Sequence, residues 1–194
     1  MFNYLRVGCS QPMLLEIAIR ILITLTKVLL LACLLFVLAG LLLPHKYHLK
    51  QQKTFLTAEA QQLSSLFDLQ AWSQLMRLNR VKGTKDILIS IPSTGVGAHA
   101  TVQHQFGKAE ITITKKDAHG IHFSLLINNE HTAAGQLTLT PRNDSITVHW
   151  HVTGVIHSTI FGGYMALYME YYIHQLMISA FNNLQTELKL RAST

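Results

Sequence analysis

The chain has 194 residues, of which 49% are hydrophobic and 13% are charged, and its formal net charge is +6. Both cysteines, Cys9 and Cys33, lie early in the chain, which excludes a disulfide framework or a cysteine metal site in the remainder. The positive charge is modest and comes without a nucleic-acid recognition motif, so nucleic acid is not an expected partner.

One apolar stretch dominates the first part of the chain. Residues 21–43 read ILITLTKVLLLACLLFVLAGLLL and contain a single charge, Lys27. As an α-helix this stretch would measure roughly 35 Å at ~1.5 Å per residue, enough to cross a hydrocarbon core of about 30 Å. The pattern therefore predicts an uncleaved, single-pass membrane anchor at residues 13–43, preceded by a tail at 1–12 and followed by one domain at 44–194.

Three other interpretations of this stretch fit the sequence less well than a membrane anchor. A cleaved secretory signal has a shorter apolar core of about 7–15 residues, and here Pro44 and His45 follow instead of a small-residue cleavage site. The segment Leu30–Cys33 resembles a lipidation box, but the residues after Cys33 remain apolar. A buried core helix is rarely apolar on all sides at this length. The anchor is also expected to carry an ion pair between Glu16 and Arg20, which are four residues apart.

Positive charges flank the anchor on both sides. The counts are equal, with Arg6, Arg20 and Lys27 on one side and Lys46, Lys50 and Lys53 on the other. We expect a bacterial inner-membrane protein whose tail lies in the cytoplasm and whose domain lies in the periplasm. The basic residues after the anchor are either ordinary solvated charges or a face held against anionic headgroups.

The domain is predicted to start with a strand and two short helices. The strand covers Tyr47–Phe55. Thr57 is a candidate cap for a helix at Ala58–Phe67, and Asp68 is a candidate cap for a second helix at Leu69–Leu78.

Six further strands follow at short spacing, each bounded by turn residues. They are predicted at Lys85–Pro92, Ala98–Phe106, Ala109–Lys116, Gly120–Asn128, Thr132–Thr140 and Ser145–Thr153. Their residues alternate between apolar and polar; in the last strand Val148 and Trp150 oppose His149 and His151. This alternation predicts an antiparallel sheet with one buried face.

A long helix is predicted to close the chain at Thr159–Leu190, with Ser158 as its cap. Its apolar residues recur three and four positions apart: Met165, Tyr168, Tyr172, Leu176, Ile178, Phe181, Leu184 and Leu188. Such a helix needs a partner surface, and the buried face of the sheet supplies one. The predicted fold is α+β, with a sheet of about seven strands wrapped on the helix and a groove between the two.

This order of elements resembles the helix-grip fold of the START-like (SRPBCC) superfamily, and in particular its membrane-anchored, polyketide cyclase/dehydrase-like members. The resemblance rests on the Leu43-Pro44-His45 step, the Leu69–Ser73 segment with Trp72, the Gly95–Ala98 turn, and the paired segments Gly135–Pro141 and Ile146–Trp150. It implies a cavity for an apolar small molecule or a lipid, and it implies no shared catalytic set.

The favoured hypothesis is a membrane-tethered binding module without a cofactor, in which a protein partner remains possible. We expect the ligand to contact Trp72, His104, Phe123, Trp150, Tyr164 and Tyr168. Two alternatives stay open: a cyclase or dehydratase using His104 or Glu170 for proton transfer, or a structural subunit whose core is filled. His149 and His151 share one strand face, but a third zinc ligand is missing, so no metal site is expected.

Overall fold

The computed structural model describes residues 11–56 and 63–192, with side-chain surroundings for 15–56 and 63–190. Cys9, the cap Thr57 and the first half of the predicted helix Ala58–Phe67 lie outside the described residues. The helices are α1 (Gln11–Leu42), α2 (Leu69–Leu75) and α3 (Gly162–Ala192), with 3-10 turns at Ser64–Phe67 and Leu78–Arg80. The strands are β1 (Lys46–Leu56), β2 (Thr84–Ile89), β3 (His99–His104), β4 (Gly107–Lys116), β5 (Gly120–Ile127), β6 (His131–Arg142) and β7 (Ser145–Val155).

Helix α1 is the only described helix that is both long and apolar enough to cross a membrane. Its span Leu15–Leu42 covers 28 residues, and none of its most apolar window is buried. It is therefore not a core helix of the domain. The predicted ion pair is present, with 2.7 Å between Arg20 Nη2 and Glu16 Oε1. Only three residues, 43–45, separate α1 from β1.

The seven strands form one antiparallel sheet in the order β1-β7-β6-β5-β4-β3-β2. Alternation along β7 is as predicted, because Val148, Trp150 and Val152 are buried whereas His149 and His151 lie on the outer face. Long strands and tight turns bring sequence neighbours together, except that β1 pairs with the last strand, β7. This pairing places the start and the end of the domain side by side.

Helix α3 runs along the inner face of the sheet and corrects two details of the prediction. It begins at Gly162, so Ser158 does not cap it. Its first half buries Ala166 rather than Met165 and Tyr168, which are 36% and 64% exposed. Both sets of residues have helical spacing, so the spacing alone does not say which set turns inward; in the structure the first turn of α3 also contacts α1. Phe181, Leu184 and Leu188 are buried as predicted.

Helix α2 connects the sheet to α3. The Asp68 carboxylate accepts a hydrogen bond of 2.8 Å from the backbone N–H of Gln70, as its predicted role as a cap requires. The helix ends earlier than predicted, because Arg77 adopts a left-handed conformation with φ of 51°. At this end, Asn183 Nδ2 of α3 donates to the carbonyl oxygen of Leu75 at 2.6 Å. The arrangement is the helix-grip fold, which confirms the predicted fold class.

Candidate functional site

A cavity lies between α3 and the half of the sheet that α3 covers least. The main contacts of α3 are with β1, α2 and β7, so the inner faces of β2–β5 are incompletely covered. The cavity has a volume of about 170 Å³. Its walls are apolar apart from a few groups, and residues from α2, five strands and α3 contribute to them.

Three aromatic side chains form one wall of this cavity. Trp72 of α2 contacts Phe123 of β5 edge to face, with ring centroids 5.1 Å apart. Trp72 also lies 5.1 Å from Trp150 of β7. All three residues were predicted to contact a ligand, and all three line the cavity. Gly135 on β6 makes room for this wall, because a Cβ atom there would lie 2.0 Å from the Phe123 ring.

The two tryptophans of this wall differ in hydrogen bonding. The Trp72 indole N–H donates to the carbonyl oxygen of Leu66 at 2.8 Å. The Trp150 Nε1 atom is buried and has no acceptor among the residues that the structure describes. Buried donors are normally paired, so this N–H carries a desolvation cost in the structure as it stands.

The tyrosines of α3 are divided between the cavity and the surface. Tyr172 lines the cavity, and burial followed by the neighbouring Tyr168 raises the pKa of its hydroxyl. Tyr168 lies outside, 64% exposed, and its ring stacks on that of Tyr172 with centroids 6.1 Å apart. Tyr164 also lies outside the cavity lining; its hydroxyl donates to the carbonyl oxygen of Phe36 in α1 at 2.8 Å. The structure therefore brings Tyr172 to the predicted groove in place of Tyr164 and Tyr168.

His104 lies at the end of β3, outside the cavity lining. Its Nε2 atom is 2.9 Å from the carbonyl oxygen of Lys82, and its Nδ1 atom accepts a hydrogen bond from the Phe106 N–H at 3.3 Å. These contacts require a ring with the proton on Nε2. His104 has the same strand parity as Ala100 and Val102, which line the cavity, but it lies past the cavity, and backbone groups contact both of its ring nitrogens.

Glu170 lies in a second depression, between α3 and β1. This depression is lined by His48, Leu49, Lys50, Gln51, Leu167, Glu170, Tyr171 and His174. Within it, Gln51 Nε2 contacts His174 Nε2. Glu170 and His104 belong to different regions of the domain, and neither lines the aromatic cavity. They do not converge on a common point where a substrate could bind.

The histidines of β7 lie on the outer face of the sheet. His151 stands opposite Lys50 of β1 and Gln136 of β6. Its pKa lies below the ordinary value of 6.5, because partial burial and then the positive charges of Lys50 and His48 oppose protonation. Among the described residues, no three acidic, histidine or cysteine side chains are grouped so as to hold a metal ion.

Several cavity residues were not singled out from the sequence. On β4 and β5 they are Ala109, Ile111, Leu125 and Ile127, and on α3 they are Met169, Ile173 and Met177. The strand residues carry a readable signal, since alternation puts them on the inner face. The α3 residues carry none, because helical spacing alone does not say which face of α3 meets the sheet.

Solved structures with this fold span most of the domain. The Zhui aromatase/cyclase from Streptomyces sp. R1128 matches with a TM-score of 0.57 and 12% identity, covering 76% of this chain and 96% of that one. Norcoclaurine synthase from Thalictrum flavum, solved with dopamine and hydroxybenzaldehyde, matches with a TM-score of 0.54 and 11% identity, covering 73% and 87%. Ara h 8.0201 matches with a TM-score of 0.51 and 10% identity, covering 74% and 97%.

These likenesses confirm the START-like fold and, at 10–12% identity, nothing finer. No protein-family model matches the chain, and no curated protein matches it. The cavity and the position of α1 are therefore the observations that bear on function.

Proposed function

We propose that the protein is a membrane-tethered module that binds an apolar small molecule, or part of a lipid, in the cavity between α3 and β2–β5. The observation that carries this proposal is the cavity itself. Its walls hold the aromatic residues Trp72, Phe123 and Trp150 together with Ile111, Leu125 and other aliphatic residues. Small-molecule sites are typically concave and apolar, with few polar groups.

The size of the cavity sets the scale of the ligand. An engineered apolar cavity of about 150 Å³ in another protein stays dry and binds benzene. The cavity here, at about 170 Å³, is of that order. We expect it to accept one aromatic ring or a short stretch of acyl chain without rearrangement, and a larger ligand only if α3 moves away from β2–β5. This volume also supports the binding hypothesis over the filled-core alternative.

The membrane tether supplies the second half of the proposal. Helix α1 exposes its apolar side chains along its whole described length, including Leu22, Leu30 and Leu42 at 64%, 65% and 86% exposure. At about 42 Å, calculated at ~1.5 Å per residue, its 28-residue span is longer than a hydrocarbon core of about 30 Å. A bilayer, which we propose to be a bacterial inner membrane with the domain in the periplasm, would cover this surface and supply apolar ligands.

A cyclase-type enzyme is less well supported. Two of the similar structures are a cyclase and a synthase, but the proton-transfer candidates His104 and Glu170 do not meet in this chain. The cavity-wall residues whose side chains contain a nitrogen or oxygen atom are Ser73, Glu110, Tyr172 and the two tryptophans. Glu110 pairs with Lys108 at 2.5 Å, and strand parity places it with the outer face.

Photocrosslinking tests the binding proposal. The full chain is placed in nanodiscs with a phospholipid that carries a diazirine near the end of one acyl chain, or with a small aromatic diazirine. After irradiation, adducts are mapped by mass spectrometry. We expect adducts on α1 and also on cavity peptides containing Trp72, Met76 or Met177, at least fivefold above those on peptides of the outer sheet face.

Two variants at neighbouring positions of β3 sharpen this test. Ala100 lines the cavity and is 6% exposed, whereas Thr101 lies on the opposite face of the strand. Ala100→Phe should abolish the cavity adducts and leave those on α1, while Thr101→Phe should change neither. Labelled α1 with an unlabelled cavity in the parent chain would refute ligand binding; an unlabelled α1 would refute the tether.

A further inference from the structure

The first half of α3 and Phe161, the residue before it, expose a stripe of aromatic side chains. Phe161, Tyr164, Tyr168 and Tyr171 follow one another at helical spacing, and Phe161, Tyr168 and Tyr171 are 54%, 64% and 65% exposed. Leu167, 50% exposed, lies beside them. We call these five residues the α3 stripe. A soluble surface rarely groups large apolar side chains in this way without a partner.

The stripe begins at a direct contact with α1. The rings of Phe36 and Tyr164 stack with centroids 4.5 Å apart and planes 5° apart. Phe161 lies 6.4 Å from the same Phe36 ring. Phe36 precedes the end of α1 by about 9 Å at ~1.5 Å per residue, so the start of α3 lies beside the last turns of α1 and not beyond them.

Close backbone packing fixes this junction. Gly40 of α1 is buried against α3, where a Cβ atom would lie 2.3 Å from the carbonyl oxygen of Ile160. At Gly163, a Cβ atom would lie 2.2 Å from the Cβ of Leu43. With only residues 43–45 between α1 and β1, the domain has little freedom to swing away from the helix that carries it.

The position of the contact between α1 and α3, relative to a bilayer spanned by α1, indicates what covers the α3 stripe. Exposed Lys46 follows the last residue of α1 by four positions, so in a bilayer spanned by α1 the last turns of this helix would lie near the interfacial layer. Tyrosine is enriched in that layer, where the ring meets acyl chains and the hydroxyl meets water and headgroups. The exposed amine-bearing residues Lys46 and Lys50 of β1 follow directly after α1, at a position suited to anionic headgroups.

We propose that the α3 stripe is a membrane-contacting surface, and that the bilayer spanned by α1 is its occupant. This inference rests on the proposed membrane tether. The stripe leads to the cavity, because exposed Tyr168 stacks on Tyr172, which lines the cavity. The α3 stripe is therefore adjacent to one residue of the cavity wall.

Spin-label accessibility tests this placement in the full chain reconstituted in nanodiscs. Native Cys33 is an exposed thiol on α1, and its label in a separate Cys9→Ser chain serves as the marker of membrane insertion. In a background with Cys9→Ser and Cys33→Ser, single labels are introduced as Tyr168→Cys and Tyr171→Cys. The control is Leu88→Cys on the edge strand β2, where the parent side chain is equally exposed at 62%.

Collision with oxygen, which concentrates in lipid, is compared with collision with a water-soluble nickel chelate. We expect the labels at positions 168 and 171 to show at least a threefold higher oxygen-to-nickel ratio than the label at 88, between that control and the label on Cys33. Equal ratios at 168, 171 and 88 would overturn the proposal, as would dipolar broadening between copies, which would make the stripe a dimer interface.

The label on Cys33 distinguishes a failure of the proposed membrane contact of α3 from a failure of the proposed membrane tether. A Cys33 label that behaves as lipid-exposed, together with aqueous labels at 168 and 171, overturns only the membrane contact of α3. A Cys33 label that is itself aqueous overturns the tether and this inference together.

Discussion

At the scale of single residues, side chains of similar burial differ in whether their polar atoms have hydrogen-bond partners. Trp72 and Trp150 stand in contact, are 5% and 3% exposed, and differ in hydrogen bonding. His104 illustrates the same point, because local backbone groups occupy both of its nitrogens. Sequence alternation gives the face on which such a residue lies, whereas its partners depend on turns that alternation does not describe.

The two tryptophans give a matched pair of substitutions. Trp72→Phe breaks the 2.8 Å bond to the Leu66 carbonyl and leaves that acceptor unpaired, while Trp150→Phe removes a donor that has no acceptor. Both lose similar volume. We therefore expect Trp72→Phe to destabilise the domain by about 1–3 kcal/mol more than Trp150→Phe. Urea unfolding of the detergent-solubilised chain measures the difference, and equal midpoints would contradict the assignment.

His151 gives a prediction about pH. Since its pKa is lowered in the folded domain, the unfolded chain binds more protons as pH falls through and below about 6.5, so acid favours unfolding through this residue. His151→Gln should reduce the loss of thermal stability between pH 7.5 and 5.5. Lys50→Gln should raise the pKa of His151 in an NMR titration, because it removes a positive charge from the paired position. An unchanged titration would exclude Lys50 as a cause.

At the scale of elements, α3 shows how helix phase controls the site. Two stripes with helical spacing run along its first half, and only one of them, including Ala166, Met169 and Ile173, faces the sheet. The other stripe carries the exposed tyrosines. Two hydrogen bonds accompany this phase, one from Tyr164 to α1 and one from Asn183 to α2.

Asn183 supplies a test of the second contact. Its side chain donates to the Leu75 carbonyl oxygen at the end of α2. Asn183→Ala removes this donor, and we expect a loss of about 1–3 kcal/mol in the free energy of unfolding. The neighbouring, exposed Asn182 is the control, since Asn182→Ala should cost less than about 0.5 kcal/mol. Equal effects of the two substitutions in chemical unfolding would show that the bond to Leu75 is not important.

At the scale of the whole molecule, the fold joins an apolar cavity to an apolar helix through one short junction. Helix α3 takes part in both, lining the cavity through Met169 and Tyr172 and contacting α1 through Tyr164. The junction therefore determines how the cavity is oriented relative to any membrane that α1 spans.

Gly40 provides the corresponding prediction. Gly40→Leu places a side chain where the Ile160 carbonyl and the Tyr164 ring now lie, so we expect α1 and α3 to separate. The distance distribution between a spin label on Cys33 and one at Leu88→Cys should broaden, while the thermal stability of the domain changes little because its core lies elsewhere. Ala39→Leu, at an exposed position of α1, is the control and should leave the distribution unchanged. A distribution for Gly40→Leu that matches this control would contradict a fixed junction.

Sequence by itself determined the architecture of this protein, because period-two alternation, turn residues and one uninterrupted apolar run are local signals. They gave the antiparallel sheet, the closing helix, the candidate anchor and the aromatic residues Trp72, Phe123 and Trp150. Three outcomes needed the folded molecule: Tyr172 lines the cavity while Tyr168 does not, His104 binds backbone groups, and α3 meets α1. These outcomes depend on helix phase and on contacts between residues far apart in the chain, and such contacts leave no periodic trace in the sequence.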